Sequence, residues 1–154
     1  KNLILIKTFS KSIGIAGLRF GYYICHPEVS KVINSVRPIF DISSFTMKVA
    51  EFFIDQKKLW KQYINEIKES KQYVNKECKR RNFNYLNTEA NFFYIFFKKK
   101  NIKKIVKNLN RDKILVKTKY VTTFNLPKNS IRITYGSREQ MKYLFNKLDK
   151  IKNL

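Results

Sequence analysis

Two short apolar runs near the start of the chain predict two β-strands. Residues 3–6 and residues 20–25 both suit strands that are buried on both faces. Three glycines permit tight turns and the close approach of a ligand to the backbone: Gly14 and Gly17 between the two runs, and Gly21 at the start of the second. The pattern therefore predicts a strand, a loop and a second strand.

Helical periodicity dominates the next part of the chain. Pro27 suits the first turn of a helix, because proline loses no needed donor there, and Pro38 marks its end. A second helix begins with Ser43 or Ser44 as its cap and runs to residue 54. A longer helix then continues to about residue 81. Its apolar positions recur at helical spacing, at Trp60, Tyr63, Ile64, Ile67, Val74 and Cys78.

The remaining segment alternates between strand and helix patterns. Strands are predicted for residues 91–97, 114–116 and 131–135, and a helix for residues 102–109. A closing helix begins at Ser137, since Gln140 stands three residues later and completes a capping box. Its predicted buried stripe is Met141, Leu144, Phe145, Leu148 and Ile151.

These elements predict an α/β chain in three parts. Residues 1–55 form part of a large α/β domain, residues 56–81 a linking helix, and residues 82–154 a small α+β domain. Apolar residues make up 44% of the chain and aromatic residues 15%, which excludes a disordered segment.

The net charge of +22 raises the question of a nucleic-acid partner. The lysines are spread along the chain, so the densest clusters, at residues 76–81 and 98–104, are interpreted as solvated helix faces.

The spacing of a metal site or a disulfide framework is absent from Cys25, Cys78 and His26, and both cysteines are expected to be buried. No apolar run reaches the length of a membrane span and no signal peptide is visible, so a cytoplasmic protein is expected.

Reactive side chains concentrate in residues 8–22. Lys11 lies a few residues after the first predicted strand, where partial burial and neighbouring cations would activate its amine as a nucleophile for imine formation. The hydroxyls of Thr8 and Ser10 and the guanidinium of Arg19 are suited to surround a dianionic phosphate. A loop with one lysine and one arginine is common, so these residues alone leave a structural role open.

The whole string T-x-S-K-x-x-G-x-A-G-x-R-x-G, at residues 8–21, is specific. It resembles the cofactor-lysine motif of fold-type I, class I/II aminotransferases, most closely the histidinol-phosphate aminotransferase group. The resemblance implies pyridoxal 5'-phosphate as the cofactor, which acts as the electron sink. Lys11 would bond the cofactor and later move a proton as general acid and base. Thr8, Ser10 and Arg19 would bind its phosphate.

The resemblance also implies a PLP-dependent transferase (aspartate aminotransferase-like) fold, of which this chain holds the edge of the large-domain sheet and the small C-terminal domain. Residues 131–139 resemble the family's closing R-I-T-x-G-[ST]-x-E segment, in which Arg132 would grip the substrate's carboxylate or phosphate. Asn91 opens a segment similar to the small-domain strand and is expected to contact substrate. Where relatives often carry a second arginine, this chain has Lys117, which keeps the charge and loses bidentate geometry.

The implied activity is amino-group transfer between an amino acid, or a phosphorylated amino compound such as histidinol phosphate, and a 2-oxo acid. A decarboxylase of a phosphorylated amino acid shares these motifs and stays open. A basic nucleic-acid-binding module is the alternative from a different class, although neither a specific nucleic acid nor a membrane is expected as partner.

The resemblance covers nearly the whole chain but only about the last two fifths of a family member. Within these residues we can assign no aspartate to the pyridine nitrogen, no ring stacked on the cofactor and no metal ligand. We therefore expect the chain to be part of a longer, homodimeric enzyme and to show negligible transamination alone.

Overall fold

The chain forms two compact units, Lys1–Ile64 and Asn65–Leu154, in the computed structural model. The structure describes residues 2–12, 14–39, 41–97, 102–118 and 129–151. The longest helix, α4 (Lys57–Arg80), belongs in part to each unit. The predicted division at residues 55 and 81 stays a prediction.

The first unit contains the predicted strand, loop and strand. Its elements are β1 (Ile4–Thr8), α1 (Phe9–Ser12), a 3₁₀ turn (Ala16–Leu18), β2 (Gly21–Cys25), α2 (Pro27–Ser35) and α3 (Ser44–Asp55). Strands β1 and β2 pair antiparallel, with Ile4 opposite Cys25 and Thr8 opposite Gly21. The two predicted strands are therefore confirmed, and the loop between them contains a single helical turn, α1, that the sequence pattern did not indicate.

The prediction that both strands are buried on both faces is wrong for this chain. Leu3 and Ile6 are each 76% exposed, and every residue of β1 is exposed. The physical reason is that a two-stranded ribbon buries a face only where another layer covers it, and the helices of this unit leave β1 open. Cys25, expected to be buried, is likewise only half-buried.

The glycines at positions 14, 17 and 21 have different roles. Gly14 has a φ of +80°, in the left-handed region that favours glycine. A Cβ on Gly21 would lie 2.6 Å from the backbone oxygen of Lys7, so β1 and β2 can approach only because Gly21 has no side chain. A Cβ on Gly17 would meet no atom within 4 Å.

Capping residues set the helix starts of this unit. The imidazole of His26 accepts a hydrogen bond from the Glu28 N–H at 3.4 Å, and Pro27 opens α2. The Ser43 hydroxyl accepts from the Thr46 N–H at 3.1 Å, which identifies Ser43 as the cap of α3.

The second unit is a three-stranded antiparallel sheet with helices. Its elements, beyond its part of α4, are β3 (Asn84–Leu86), β4 (Phe92–Phe96), α5 (Ile102–Arg111), β5 (Ser130–Thr134) and α6 (Arg138–Lys150), with strand order β3-β4-β5. Strand β3 was not predicted. The predicted capping box of α6 is confirmed, since Ser137 Oγ accepts from the Gln140 N–H and the Gln140 side chain accepts from the Ser137 N–H.

The predicted strand at residues 114–116 is wrong. The N–H of Ile114 donates to the Leu109 carbonyl at 2.9 Å, and Lys113 adopts a left-handed φ of 60°, which together close the C-terminal turn of α5. The backbone at residues 113–114 completes the end of α5 and does not pair with a strand. In the described residues that follow, the pairing is a single bridge between Lys117 and Arg132.

One face of the sheet forms the core of the second unit. The residues buried there from β4 and β5 are Phe93, Ile95, Ile131 and Ile133, and those from the helices are Val74, Cys78, Ile105, Leu109, Met141, Leu144, Phe145 and Leu148. The alternate residues of β4 and β5 therefore point to the opposite face. The α6 stripe is confirmed, with Ile151 half-buried at its edge.

Cys78 is fully buried, as expected, and burial raises the pKa of its thiol to about 12. The interpretation of residues 76–81 as a solvated face is wrong at Arg81. Its side chain is only 9% exposed and forms ion pairs with Glu77 and Asp149, because α6 packs beside the end of α4.

Candidate active site

A local turn brings the hydroxyls of Thr8 and Ser10 together. Strand β1 ends at Thr8, and α1 begins at the next residue. The Ser10 N–H donates to Thr8 Oγ1 at 3.2 Å, and Thr8 Oγ1 donates to Ser10 Oγ at 2.9 Å. Side chains of this kind often close such turns by bonding the backbone two residues on. The turn thus presents two hydroxyl groups from the end of a strand.

Arg19 lies at the opposite end of the loop in an unusual backbone conformation. Its φ is 52°, in the left-handed region, where a non-glycine residue is uncommon. Its N–H donates to the Ala16 carbonyl at 3.3 Å and its guanidinium to the same oxygen at 3.4 Å. Arg19 therefore ends the 3₁₀ turn, and the turn fixes where its side chain leaves the backbone.

Thr8, Ser10 and Arg19 line one open concavity of about 500 Å³ in the first unit. Apolar and aromatic side chains form much of its wall, and they include Ile4, Ile6, Tyr22, Tyr23 and Ile33. The ring of Phe9 stacks on that of Phe20, with centroids 5.1 Å apart, and so holds α1 against the start of β2. Three of the four predicted cofactor residues are therefore brought together.

Lys11 lies on α1, one residue after Ser10. It is exposed and is not among the described residues that line the concavity. The expected partial burial is therefore wrong for this chain, because Phe9 and Ser10 occupy the half-buried side of the short helix and Lys11 lies exposed. Its position immediately beside the hydroxyl pair agrees with the predicted motif.

The donors at the concavity fit a phosphate group. Two neutral hydroxyls and one guanidinium match a dianion, since the guanidinium supplies charge-assisted hydrogen bonds and the hydroxyls supply further donors. Lys7, which directly precedes Thr8 on β1, also borders the concavity. Sequence reasoning missed Lys7, although its place directly before Thr8, opposite Tyr22 in the strand register, could have indicated it.

Arg132 lies in the second unit, on the sheet face opposite the core. It pairs with Tyr94 of β4 on one side and with Lys117 on the other. The Arg132 N–H donates to the Lys117 carbonyl at 2.8 Å, and the Lys117 N–H donates back at 3.1 Å. Directly opposed residues of antiparallel strands share a face, so both predicted substrate cations lie on the same side of the sheet.

An aromatic ring supports Arg132. Its guanidinium carbon lies 4.8 Å from the ring centroid of Phe92, a cation–π distance that limits where the side chain points. The Phe92 contact was not predicted, although a ring two positions from Tyr94 on the same face is the signal for it. Asn91 is half-buried, and its carbonyl accepts the Tyr135 N–H at 2.9 Å.

Within the described residues, no three His, Cys, Asp or Glu side chains group in a way that could hold a metal ion. No helix in that part of the chain has both the length and the apolar composition that crossing a bilayer requires.

The fold and the residue pattern define a class of protein. The sequence matches the family described as aminotransferase class I and II over residues 1–148, so the chain belongs to that family. The predicted family and the PLP-dependent transferase fold are both confirmed.

Individual relatives narrow the comparison. A histidinol-phosphate aminotransferase of Clostridium novyi is 35% identical over 140 residues, which are 90% of this chain and 38% of the relative. The chain thus spans about two fifths of the length of this curated relative.

Two solved structures share the fold. A histidinol-phosphate aminotransferase of Sinorhizobium meliloti, in complex with pyridoxal-5'-phosphate, has a TM-score of 0.77 at 24% identity, covering 94% of this chain and 40% of that one. An L-threonine-O-3-phosphate decarboxylase of Porphyromonas gingivalis has a TM-score of 0.81 at 19% identity, covering 97% of this chain and 46% of that one.

Proposed function

We propose that this chain is the part of a pyridoxal-phosphate-dependent aminotransferase that carries the cofactor lysine, Lys11, and the cofactor-phosphate contacts. The observation that supports this most directly is the convergence of Thr8, Ser10 and Arg19 on one concavity beside Lys11. Family membership supplies the cofactor class, and the donor set fits its phosphate.

Each residue has a distinct chemical task in this proposal. Arg19 would hold the phosphate through charge-assisted hydrogen bonds, and Thr8 and Ser10 would add hydroxyl donors. The amine of Lys11 would hold the cofactor covalently until an amino substrate replaces it. Once free, the same amine would accept the proton from the substrate Cα and return it, as a general base and acid. The cofactor, when bound, supplies the electron sink for that carbanion-forming step.

The proposed substrates are an amino compound with an anionic group and a 2-oxo acid. Histidinol phosphate is the proposed amino donor, since the curated relative carries that activity in its name. Arg132 would bind the anionic group, with Lys117 as a second cation on the same sheet face and Asn91 as a further contact. The cation–π contact to Phe92 would preorganise the Arg132 guanidinium.

Decarboxylation of a phosphorylated amino acid is the second candidate. It is supported by the fold shared with the L-threonine-O-3-phosphate decarboxylase. Both reactions begin from the same lysine and the same phosphate contacts, and they differ in which bond at the substrate Cα breaks.

Because the chain spans about two fifths of its relative, we propose that the active form is a longer, cytoplasmic homodimer. On this proposal the 154 residues alone show negligible turnover.

The test uses the longest natural protein that contains these residues, loaded with pyridoxal phosphate. Histidinol phosphate and O-phosphothreonine are each supplied with and without 2-oxoglutarate, and glutamate and carbon dioxide are measured. Glutamate formed only with 2-oxoglutarate supports amino transfer, and carbon dioxide released without it supports the decarboxylase. Failure to form either product with any of a panel of amino acids, by a protein shown to hold the cofactor, would contradict the proposal.

A further inference from the structure

A groove of about 580 Å³ runs along helix α5 of the second unit, and the active-site proposal does not use it. The described residues that line it are Ile102, Lys103, Val106, Lys107, Asn110, Arg111 and Thr118. Helix α5 itself is anchored by Ile105 and Leu109, which are buried in the core. The groove therefore lies on a helix whose position is fixed by packing.

The helix contributes two parallel rows to the groove. Lys103, Lys107 and Arg111 follow each other at intervals of four residues and are exposed. Ile102 and Val106 form the neighbouring row, are half-buried and pack against the core from its edge. Successive members of each row are about 6 Å apart along the helix axis, four times the rise per residue.

The cationic row has no counter-charge in its own helix. Residues 102–111 contain no acidic side chain. Asp112 directly follows the helix, but its carboxylate accepts a hydrogen bond from Lys147 Nζ of α6 at 2.6 Å. Like charges four residues apart destabilise a helix, and Lys103 in the first turn also opposes the helix dipole. An anionic occupant would remove both unfavourable terms.

We propose that this groove binds an acidic amphipathic helix of a partner protein. A partner helix with carboxylates four residues apart repeats every ~6 Å along its axis, which matches the spacing of the cationic row. Apolar side chains in its adjacent row would cover Ile102 and Val106, as in other helix-in-groove complexes. The described lining has no aromatic ring on which a nucleic-acid base could stack, which favours a peptide over single-stranded RNA.

The experiment measures fluorescence anisotropy of a labelled helical peptide of about 20 residues, at about 0.15 M salt. The peptide carries one row of glutamates beside one row of leucines. It is titrated with the purified protein and with a triple variant that removes the cationic row, Lys103→Gln, Lys107→Gln and Arg111→Gln. The matched control removes the same charge from exposed positions of α4, through Lys57→Gln, Lys61→Gln and Lys68→Gln.

We expect the α5 triple variant to weaken binding at least about tenfold, from three exposed ion pairs, and the α4 triple variant to change it less than about twofold. A peptide with glutamine in place of leucine should also bind more weakly. Equal weakening in both triple variants, equal binding of a scrambled peptide, or absence of binding would overturn the proposal. If oligouridine displaced the labelled peptide at a lower concentration than the unlabelled peptide does, the proposal would be overturned in favour of RNA. Circular dichroism checks that the variants stay folded.

Discussion

Arg81 and Asp149 form a bidentate ion pair although they are 68 positions apart in the sequence. Arg81 Nε lies 2.7 Å from Asp149 Oδ1, and Nη2 lies 2.6 Å from Oδ2. The same guanidinium donates to Glu77 and lies 4.8 Å over the ring of Phe145. One side chain thus joins the end of α4 to α6 in the second unit.

Replacement of Arg81 by alanine should lower the free energy of unfolding by about 3 kcal/mol. The cause is that Glu77, which is 8% exposed, would lose its main partner while it stays buried. Arg80 also donates to Glu77, at 3.0 Å, but its side chain is 60% exposed. Arg80→Ala is therefore the control and should cost less than about 1 kcal/mol in urea unfolding. Equal effects of the two variants would contradict this account of Arg81.

Acid should weaken the second unit through Glu77. The hydrogen bond from Arg81 is the largest influence and holds the pKa of the Glu77 carboxyl below its ordinary value, against the effect of burial. The unfolded chain therefore takes up this proton first as pH falls. The stabilisation is complete above about pH 5, where the carboxyl is ionised in the unfolded chain as well, and it is lost as pH falls below that value through the lowered folded pKa.

The variant Glu77→Gln should be less stable at pH 7 and should lose less stability than the parent over that acid range. Urea unfolding at a series of pH values measures this. Glu69→Gln, on an exposed position of α4, should keep the parent's slope. A Glu77→Gln variant with the parent's full acid slope would show that other carboxyl groups determine the acid dependence.

Gly21 should be intolerant of a side chain. Gly21→Ala places a methyl group 2.6 Å from the backbone oxygen of Lys7, so the β1–β2 pair must separate at a cost of about 2 kcal/mol. Gly17→Ala, in the 3₁₀ turn before β2, is the matched control, because its Cβ would meet no atom within 4 Å. Thermal unfolding followed by circular dichroism compares them. An equal loss of stability in both variants would refute the close-approach explanation.

The pair of cations formed by Arg132 and Lys117 should determine how tightly the substrate's anionic group binds. In the longest natural protein, Arg132→Gln should raise KM for histidinol phosphate at least about tenfold, because a charge-assisted contact is lost. Lys117→Arg should lower KM, since a guanidinium adds bidentate geometry. Arg138→Gln, on an exposed position of α6, is the control and should leave KM unchanged. An unchanged KM in Arg132→Gln would remove Arg132 from the proposed substrate contacts.

Sequence patterns correctly predicted the parts of the fold that depend on contacts between residues close together in the chain. Ser43 and Ser137 cap their helices because a hydroxyl one residue before a helix can accept from its first free N–H groups. The stripe of α6 was predictable because its apolar residues recur with the helical period. The apolar run of β1 gave the strand correctly but not its exposure, since exposure depends on which layers cover it.

Other features depend on contacts that no local pattern encodes. The N–H of Ile114 donates to the Leu109 carbonyl at the end of α5, so residues 114–116 do not form a strand despite their composition. The pairing of Arg81 with Asp149 joins two distant helices, and it was hidden within a run of basic residues. At the candidate site, the motif identified Thr8, Ser10 and Arg19, whereas the contribution of Lys7 to the concavity required the register of β1 against β2.

Lys11 as the cofactor lysine is the central claim, and covalent labelling tests it most directly. The longest natural protein containing these residues is incubated with pyridoxal phosphate, reduced with borohydride and mapped by peptide mass spectrometry, beside its Lys11→Ala and Lys7→Ala variants. Lys7 is the matched control because it is also exposed and lines the concavity. We predict one dominant pyridoxyl label at Lys11 that is lost in Lys11→Ala and kept in Lys7→Ala. A label at Lys7, labels spread evenly over many lysines, or no label at Lys11 would contradict the account.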